Sequence, residues 1–223
     1  MPVLYMLHGL NGSQVDWQRW GLYDVATNLI ESRAIPPMII VAPAGEGGYW
    51  MDHYNNGPRW GTYIARDLVS YIDATYATIP VAGYRAIGGM SMGAHGALQL
   101  ALNNPGEFGI VGAHSLVVRN KQQAFPFFGD NAYFAKIDPV SIVTREPSRT
   151  KGLRIWIDIG RSDTWFTSTN AFHGQLVSLA VPHTWNAWDG GHDGTYCASH
   201  IADYLRFYGD SFNLEYARAA ADY

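Results

Sequence analysis

Cys197 is the only cysteine in the 223-residue chain, so no intrachain disulfide can form and the fold must be held by its core. Charge is sparse as well. Fifteen Lys and Arg face nineteen Asp and Glu for a formal net charge of −4, with no basic stripe. That balance argues against nucleic acid or an anionic membrane surface as a partner. No apolar run approaches the roughly 18 residues of a membrane helix, and no signal peptide is visible. The compartment stays open, because secreted enzymes can also lack disulfides and a leader could be absent from this chain. Internal repeats, low-complexity tracts and Pro/Ser-rich linkers are missing too. So are H-E-x-x-H and paired Cys/His spacings, and neither a metal site nor a cofactor is expected.

What remains is a composition of 48% hydrophobic, 14% aromatic and 15% charged residues, which is that of a globular chain. At this length a single domain over residues 1–223 is expected, burying roughly 70% of its unfolded surface. Short apolar runs alternate with longer amphipathic segments. The runs Val3 to Leu7, Met38 to Ala42, Tyr84 to Gly88, Gly109 to Ala113, Leu153 to Ile159 and His183 to Trp188 read as strands. They are nearly continuous in apolar residues, as strands covered on both faces must be. Helices are expected over Val15 to Ser32, Trp60 to Tyr76, Met92 to Asn104, Asn170 to Ala180 and Thr195 to Tyr208. Ser13-x-x-Asp16 reads as a capping box for the first, and Asn104-Pro105-Gly106 stops the third. This alternation predicts a mostly parallel sheet with helices on both faces, because parallel strands need crossovers. Residues 119–143 break the pattern. Their Phe125-Pro126-Phe127-Phe128-Gly129 core predicts a short irregular cap over a cleft.

In such sheets chemistry sits beyond the carboxyl ends of the strands. There Gly89-Met90-Ser91-Met92-Gly93 joins a strand to an Ala/Leu-rich helix, the context in which G-x-S-x-G exposes a nucleophilic serine. Serine needs a base. His192, in Gly190-Gly191-His192-Asp193, follows the last strand and precedes the last helix. His95, four residues past Ser91, reads instead as a packing residue and His8 as one that orients its loop. His53, His173 and His183 read as structural or peripheral, and His114 and His200 are given no role. The acid should follow a strand between serine and histidine. Asp158 and Asp163 both qualify; Asp163 is favoured because it lies in the loop past Gly160, and Asp158 would then accept backbone hydrogen bonds. Two backbone N–H groups must hold an oxyanion, and Met92 and Leu10 are expected to supply them. Trp50, Trp165, Phe166 and Trp188 are expected to wall an aromatic substrate cleft.

Together, Tyr5-Met6-Leu7-His8-Gly9, Tyr49-Trp50-Met51-Asp52, the Ser91 pentapeptide, Phe128-Gly129-Asp130, Gly160-x-x-Asp163 and the His192 tetrapeptide resemble the esterase D-like branch of the α/β-hydrolases. Feruloyl and acetylxylan-type esterases, S-formylglutathione hydrolases and mycolyltransferases belong to that branch. The resemblance implies an α/β-hydrolase fold, three-layer αβα, with a Ser91–Asp163–His192 triad and a Leu10/Met92 oxyanion hole. It implies a small-molecule ester as partner, no cofactor, and a carboxylic ester hydrolase acting on short-chain acyl or feruloyl-type esters. An acyltransferase or thioesterase would share every catalytic residue, and a non-catalytic binding protein would share the scaffold. Two departures stand out. The branch generally carries two further strands before its Leu-His-Gly segment, so about six strands are expected here, with an edge that a second subunit of a homo-oligomer or another segment could cover. Trp60-Gly61-Thr62 also stands where an acidic residue is usual at a helix start.

Overall fold

The six apolar runs form one parallel sheet in the computed structural model of the protein, which describes residues 1–221. The strands are β1 (Val3–Leu7), β2 (Ile39–Val41), β3 (Arg85–Met90), β4 (Ile110–His114), β5 (Arg154–Gly160) and β6 (Thr184–Trp188). Their spatial order is β2-β1-β3-β4-β5-β6. Side chains alternate across the sheet and both faces are dry. Val3, Tyr5 and Leu7 of β1 enter one core, whereas Leu4 and Met6 enter the other. The unbroken apolar composition of these strands follows from that arrangement.

Helices α1 (Asp16–Arg19) and α2 (Leu22–Glu31) cover one face together with the long α9 (Gly194–Ala221). The other face is covered by α3 (Trp60–Thr62), α4 (Val69–Thr75), α5 (Met92–Asn103), α6 (Asn131–Ile137), α7 (Pro139–Arg145) and α8 (Phe166–Ser178). No helix among the described residues is long and apolar enough to cross a membrane. Strand order reverses beside β1: the chain leaves β1 for β2 on one side and returns to β3 on the other. Loops leaving the carboxyl ends of β1 and β3 therefore diverge, and the crevice between them is where this architecture takes a ligand.

Several helices differ from their sequence expectation. The first splits into α1 and α2 at Gly21, whose φ of 88° lies in the left-handed region. The Ser13 capping box is only half made. The Asp16 carboxylate accepts from the Ser13 N–H at 2.9 Å, but the Ser13 hydroxyl donates to Asp16 rather than capping an amide, and α1 starts at Asp16 itself. Between α3 and α4 the chain is π-helical over Tyr63–Leu68. The missing acidic residue at Trp60-Gly61-Thr62 is replaced from a distance: Asp52 accepts from the Thr62 N–H at 2.8 Å and from its hydroxyl at 2.7 Å. Helix α8 begins at Phe166, four residues before the apolar pattern signals it. Helix α9 runs past Tyr208 to Ala221. The irregular segment over 119–143 is partly helical, with two 3-10 turns ahead of α6 and α7. Phe128 at its centre is fully buried, so it docks by its own apolar residues.

Candidate active site

Strand β3 runs on to Met90 and delivers the chain into Ser91 at φ 60° and ψ −114°, a backbone region that costs roughly 1–3 kcal/mol for a residue with a side chain. The turn is held from below by the Ser91 N–H, which donates to the His114 carbonyl of β4 at 3.0 Å. The two glycines of the pentapeptide are demanded by close backbone approach. A Cβ on Gly93 would stand 2.3 Å from the Leu7 carbonyl oxygen, and one on Gly89 would stand 2.5 Å from the Gly93 carbonyl carbon. Backbone atoms of β1 and α5 cannot retreat cheaply. Gly93→Ala is therefore expected to destabilise the protein by about 1–3 kcal/mol and to displace the Ser91 hydroxyl. Thermal unfolding together with ester turnover would check both effects.

The three sequence-distant residues converge. His192 Nε2 lies 2.7 Å from Ser91 Oγ, and His192 Nδ1 lies 2.7 Å from Asp163 Oδ2. Helix α5 starts directly behind Ser91 and its N-terminal dipole favours negative charge there. The loops that carry the other two residues are laced together: the Arg161 N–H donates to the Trp188 carbonyl at 2.7 Å and the Ser162 N–H to the Gly190 carbonyl at 2.9 Å. A Cβ on Gly160 would reach within 2.3 Å of the Gly190 oxygen, so this approach depends on a bare glycine. The carboxylate of Asp163 is wholly buried, the ring of His192 is about a quarter exposed, and Ser91 is 7% exposed.

Asp163 accepts three hydrogen bonds. Besides His192, the Ser115 hydroxyl donates to Oδ2 at 2.7 Å and the Trp165 N–H to Oδ1 at 2.8 Å. Burial pushes its carboxyl up, but the hydrogen bonds from His192, Ser115 and Trp165 outweigh burial and hold it below the ordinary aspartate value. The residue stays anionic beside an imidazole.

Leu10 follows β1 in the His8–Ser13 loop and is partly exposed at its surface; Met92 opens α5. As the first residue of its helix Met92 has no intrahelical acceptor for its N–H. Among the described residues neither N–H donates to a protein acceptor. The His8 ring spans the loops after β1 and β2, 2.8 Å from the Gly9 carbonyl and 3.1 Å from that of Gly45. His95 is buried against Tyr49 and Phe128.

The expected aromatic wall needs correction. Trp50 is 1% exposed, and its indole N–H donates to the His8 carbonyl at 3.0 Å while its ring packs on Gly96. It is a core residue that ties two loops together, with no surface left for a substrate. Trp188 stacks on His200 at 3.9 Å between centroids and packs on Trp156, toward α9. Trp165 and Phe166 remain half-buried, two and three residues past Asp163. Arg119 was not anticipated. Its guanidinium lies over the rings of Tyr49, Phe125 and Trp165 at 4.8–5.4 Å, and its Nε donates to the Tyr49 hydroxyl at 2.6 Å. It joins the 119–143 segment to the Asp163 loop.

Asp158 is a hub of a different kind from the one expected. Among the described residues, one backbone N–H reaches it, that of Ser115 at 3.4 Å. Its other donors are side chains: His114 and Trp156, each at 2.7 Å, Tyr196 at 2.9 Å and Tyr204 at 3.1 Å. His114, given no role from the sequence, is fully buried between Asp158 and the Tyr208 hydroxyl, 2.8 Å from its Nε2. No sequence motif marks Ser115 or His114. The one available signal is that two polar residues close an otherwise apolar strand at the edge where the other site residues collect. Among the described residues, no group of three or more His, Cys, Asp or Glu is placed to hold a metal ion.

Comparison with known proteins places the chain among esterases. The chain is 22% identical over 225 residues to an acetyl esterase of Caldicellulosiruptor saccharolyticus, covering 91% of this chain and 81% of that protein. It is 29% identical to an esterase of Mycobacterium tuberculosis over 86% of this chain, but spans only 48% of that protein's length. Among solved structures, a ferulic acid esterase superposes with a TM-score of 0.81 at 25% identity, covering 94% of this chain and 85% of the other. The family described as "Putative esterase" matches residues 1–208, and the chain, with its α/β-hydrolase fold, belongs to that family.

Proposed function

We propose that the protein is a serine carboxylic ester hydrolase that works through an acyl-enzyme, with Ser91 as nucleophile, His192 as general base and Asp163 as the group that orients and stabilises the imidazole. One observation carries the reading: a single imidazole has one nitrogen 2.7 Å from the Ser91 hydroxyl and the other 2.7 Å from a buried carboxylate. With its proton on Nδ1, His192 donates to Asp163 and offers Nε2 to the serine. Attack on the ester carbonyl passes the Ser91 proton to Nε2, while the Leu10 and Met92 N–H groups hold the oxyanion. The imidazolium then protonates the leaving alcohol. Water attacks the acyl-enzyme by the same base and frees the acid. The quarter-exposed His192 ring leaves water a route to that second step.

The substrate class proposed is a small ester with a short or aromatic acyl group. Trp165 and Phe166, half-buried two and three residues past Asp163, are the rings that would supply apolar contact to such an acyl group. The chain's similarity to an acetyl esterase and a ferulic acid esterase supports the same range.

The test pairs active-site labelling with a substrate panel. A fluorophosphonate should add one equivalent at Ser91, and p-nitrophenyl acetate or methyl ferulate should turn over faster than long-chain esters. Absence of both labelling and ester turnover would remove the proposal. Activity should fall toward acid along a single proton-linked limb. Asp163 is held below the ordinary carboxylate value, so it keeps its charge to lower pH than an ordinary aspartate, and the limb is expected because the general base must be unprotonated to act.

A further inference from the structure

The turn at the end of β4 touches every member of the proposed triad. His114 gives its carbonyl to the Ser91 N–H at 3.0 Å. Ser115, the next residue, is fully buried, and its hydroxyl lies 2.7 Å from Asp163 Oδ2 and 3.1 Å from His192 Nδ1. Its backbone is left-handed, with φ of 46°, and its N–H is 3.4 Å from Asp158. A serine has poor reason to sit buried in a strained conformation at the end of a parallel strand unless its hydroxyl is used.

We propose that Ser115 is a positioning residue for the hydrolysis, its hydroxyl setting the proton arrangement and orientation of the Asp163–His192 pair; this rests on the triad reading above. The argument is one of donors and acceptors. Ionised Asp163 can only accept, so the Ser115 proton points at Oδ2 and its lone pairs are turned toward His192. The Nδ1–H then meets two acceptors, Asp163 Oδ2 at 2.7 Å and Ser115 Oγ at 3.1 Å. That shared bond keeps the proton on Nδ1 and pins the ring plane, leaving Nε2 unprotonated toward Ser91. The hydroxyl also disperses part of the carboxylate's charge, one of the contacts that hold Asp163 low. Its removal acts in two opposing ways on the imidazole. A more basic carboxylate favours the imidazolium, whereas loss of the second acceptor disfavours it. The bond to the carboxylate is the shorter and the more strongly charge-assisted, so the first effect prevails.

The experiment uses the full chain carrying Ser115→Ala and, separately, Ser115→Gly, which removes the same hydroxyl while relieving the positive φ. Kinetics with p-nitrophenyl acetate across pH, thermal unfolding and fluorophosphonate labelling are measured on each. Both variants should label at Ser91 and keep KM within about twofold while kcat falls roughly ten- to a hundredfold, the size of a lost hydrogen bond to a charged group. The acid limb of kcat/KM should move to higher pH. A merely structural serine would lower the unfolding temperature without moving that limb. If Ser115→Ala does not fold, Ser115→Gly decides. A folded Gly variant with the parent's kcat and pH profile overturns the role of Ser115 alone, whereas failure of the parent chain itself to label or turn over ester overturns the triad reading beneath it.

Discussion

Ser91→Ala should lower kcat by about a million-fold on any ester the protein hydrolyses, the scale seen when a triad nucleophile is removed. The reason is local. In the proposed mechanism the hydroxyl is the atom that bonds to the acyl carbon, and among the described residues no other side chain is hydrogen-bonded to His192 Nε2. What survives is the N–H pair and whatever binding the cleft provides, which still exceed water by a modest factor. The fold should barely notice. Alanine meets the same φ of 60° as serine, and the Ser91 N–H bond to His114 is made by backbone. The unfolding temperature should thus stay close to the parent's while the fluorophosphonate adduct disappears from the intact mass. A variant that still turns over ester within a hundredfold of the parent would assign the nucleophile elsewhere.

The second large effect separates two buried aspartates by readout. Asp163→Asn should cost about ten-thousandfold in kcat, because the amide can present an N–H where the imidazole needs an acceptor and so favours the wrong tautomer. Its effect on unfolding should be small by comparison. Asp158→Asn should do the reverse. The Asp158 carboxylate is fully buried and receives His114, Trp156, Tyr196 and Tyr204. An asparagine retains one acceptor oxygen and turns an NH2 group toward donors, stranding several of them. Leaving buried donors unpaired costs roughly 1–3 kcal/mol each, so two stranded donors would lower Tm by on the order of 10 °C for a chain of this size. The molecules that remain folded should keep much of their turnover, since no Asp158 oxygen touches Ser91 or His192. Melting curves and initial rates on the two variants would test the division. If Asp163→Asn keeps its rate and Asp158→Asn loses it at unchanged Tm, the acid role belongs to Asp158.

Acid stability should follow two carboxylates, Asp163 and Asp52. Asp163 and Asp52 are both held below the ordinary aspartate value in the fold, Asp52 because the two hydrogen bonds from Thr62 and the contact with Arg59 outweigh its burial. A depressed folded value means that their contribution is complete above the unfolded aspartate range and is lost only as pH falls below it.

Much of this architecture could be read along the chain. Strand positions emerged because a strand buried on both faces must be apolar at every residue, as β1 and β4 nearly are. The Ser91 turn emerged because only glycine tolerates backbone at 2.3–2.5 Å, which leaves a mark at residues 89 and 93. His192 and Asp163 were placed by chain order relative to strands, a constraint that topology imposes on any sequence of this kind.

Other features belonged to three dimensions. Trp50 carries the same composition signal as a cleft aromatic, and only packing against Gly96 and His8 reveals it as core. Ser115, His114 and Arg119 have partners 48, 44 and 70 residues away in the chain, so no local pattern announces them. The sequence alone determined periodicity, turn chemistry and the order of reactive residues, because each of these is a near-neighbour property of the backbone. Which polar groups share a proton, and which rings meet solvent, was decided by tertiary structure, because both depend on distances between atoms that the chain brings together only on folding.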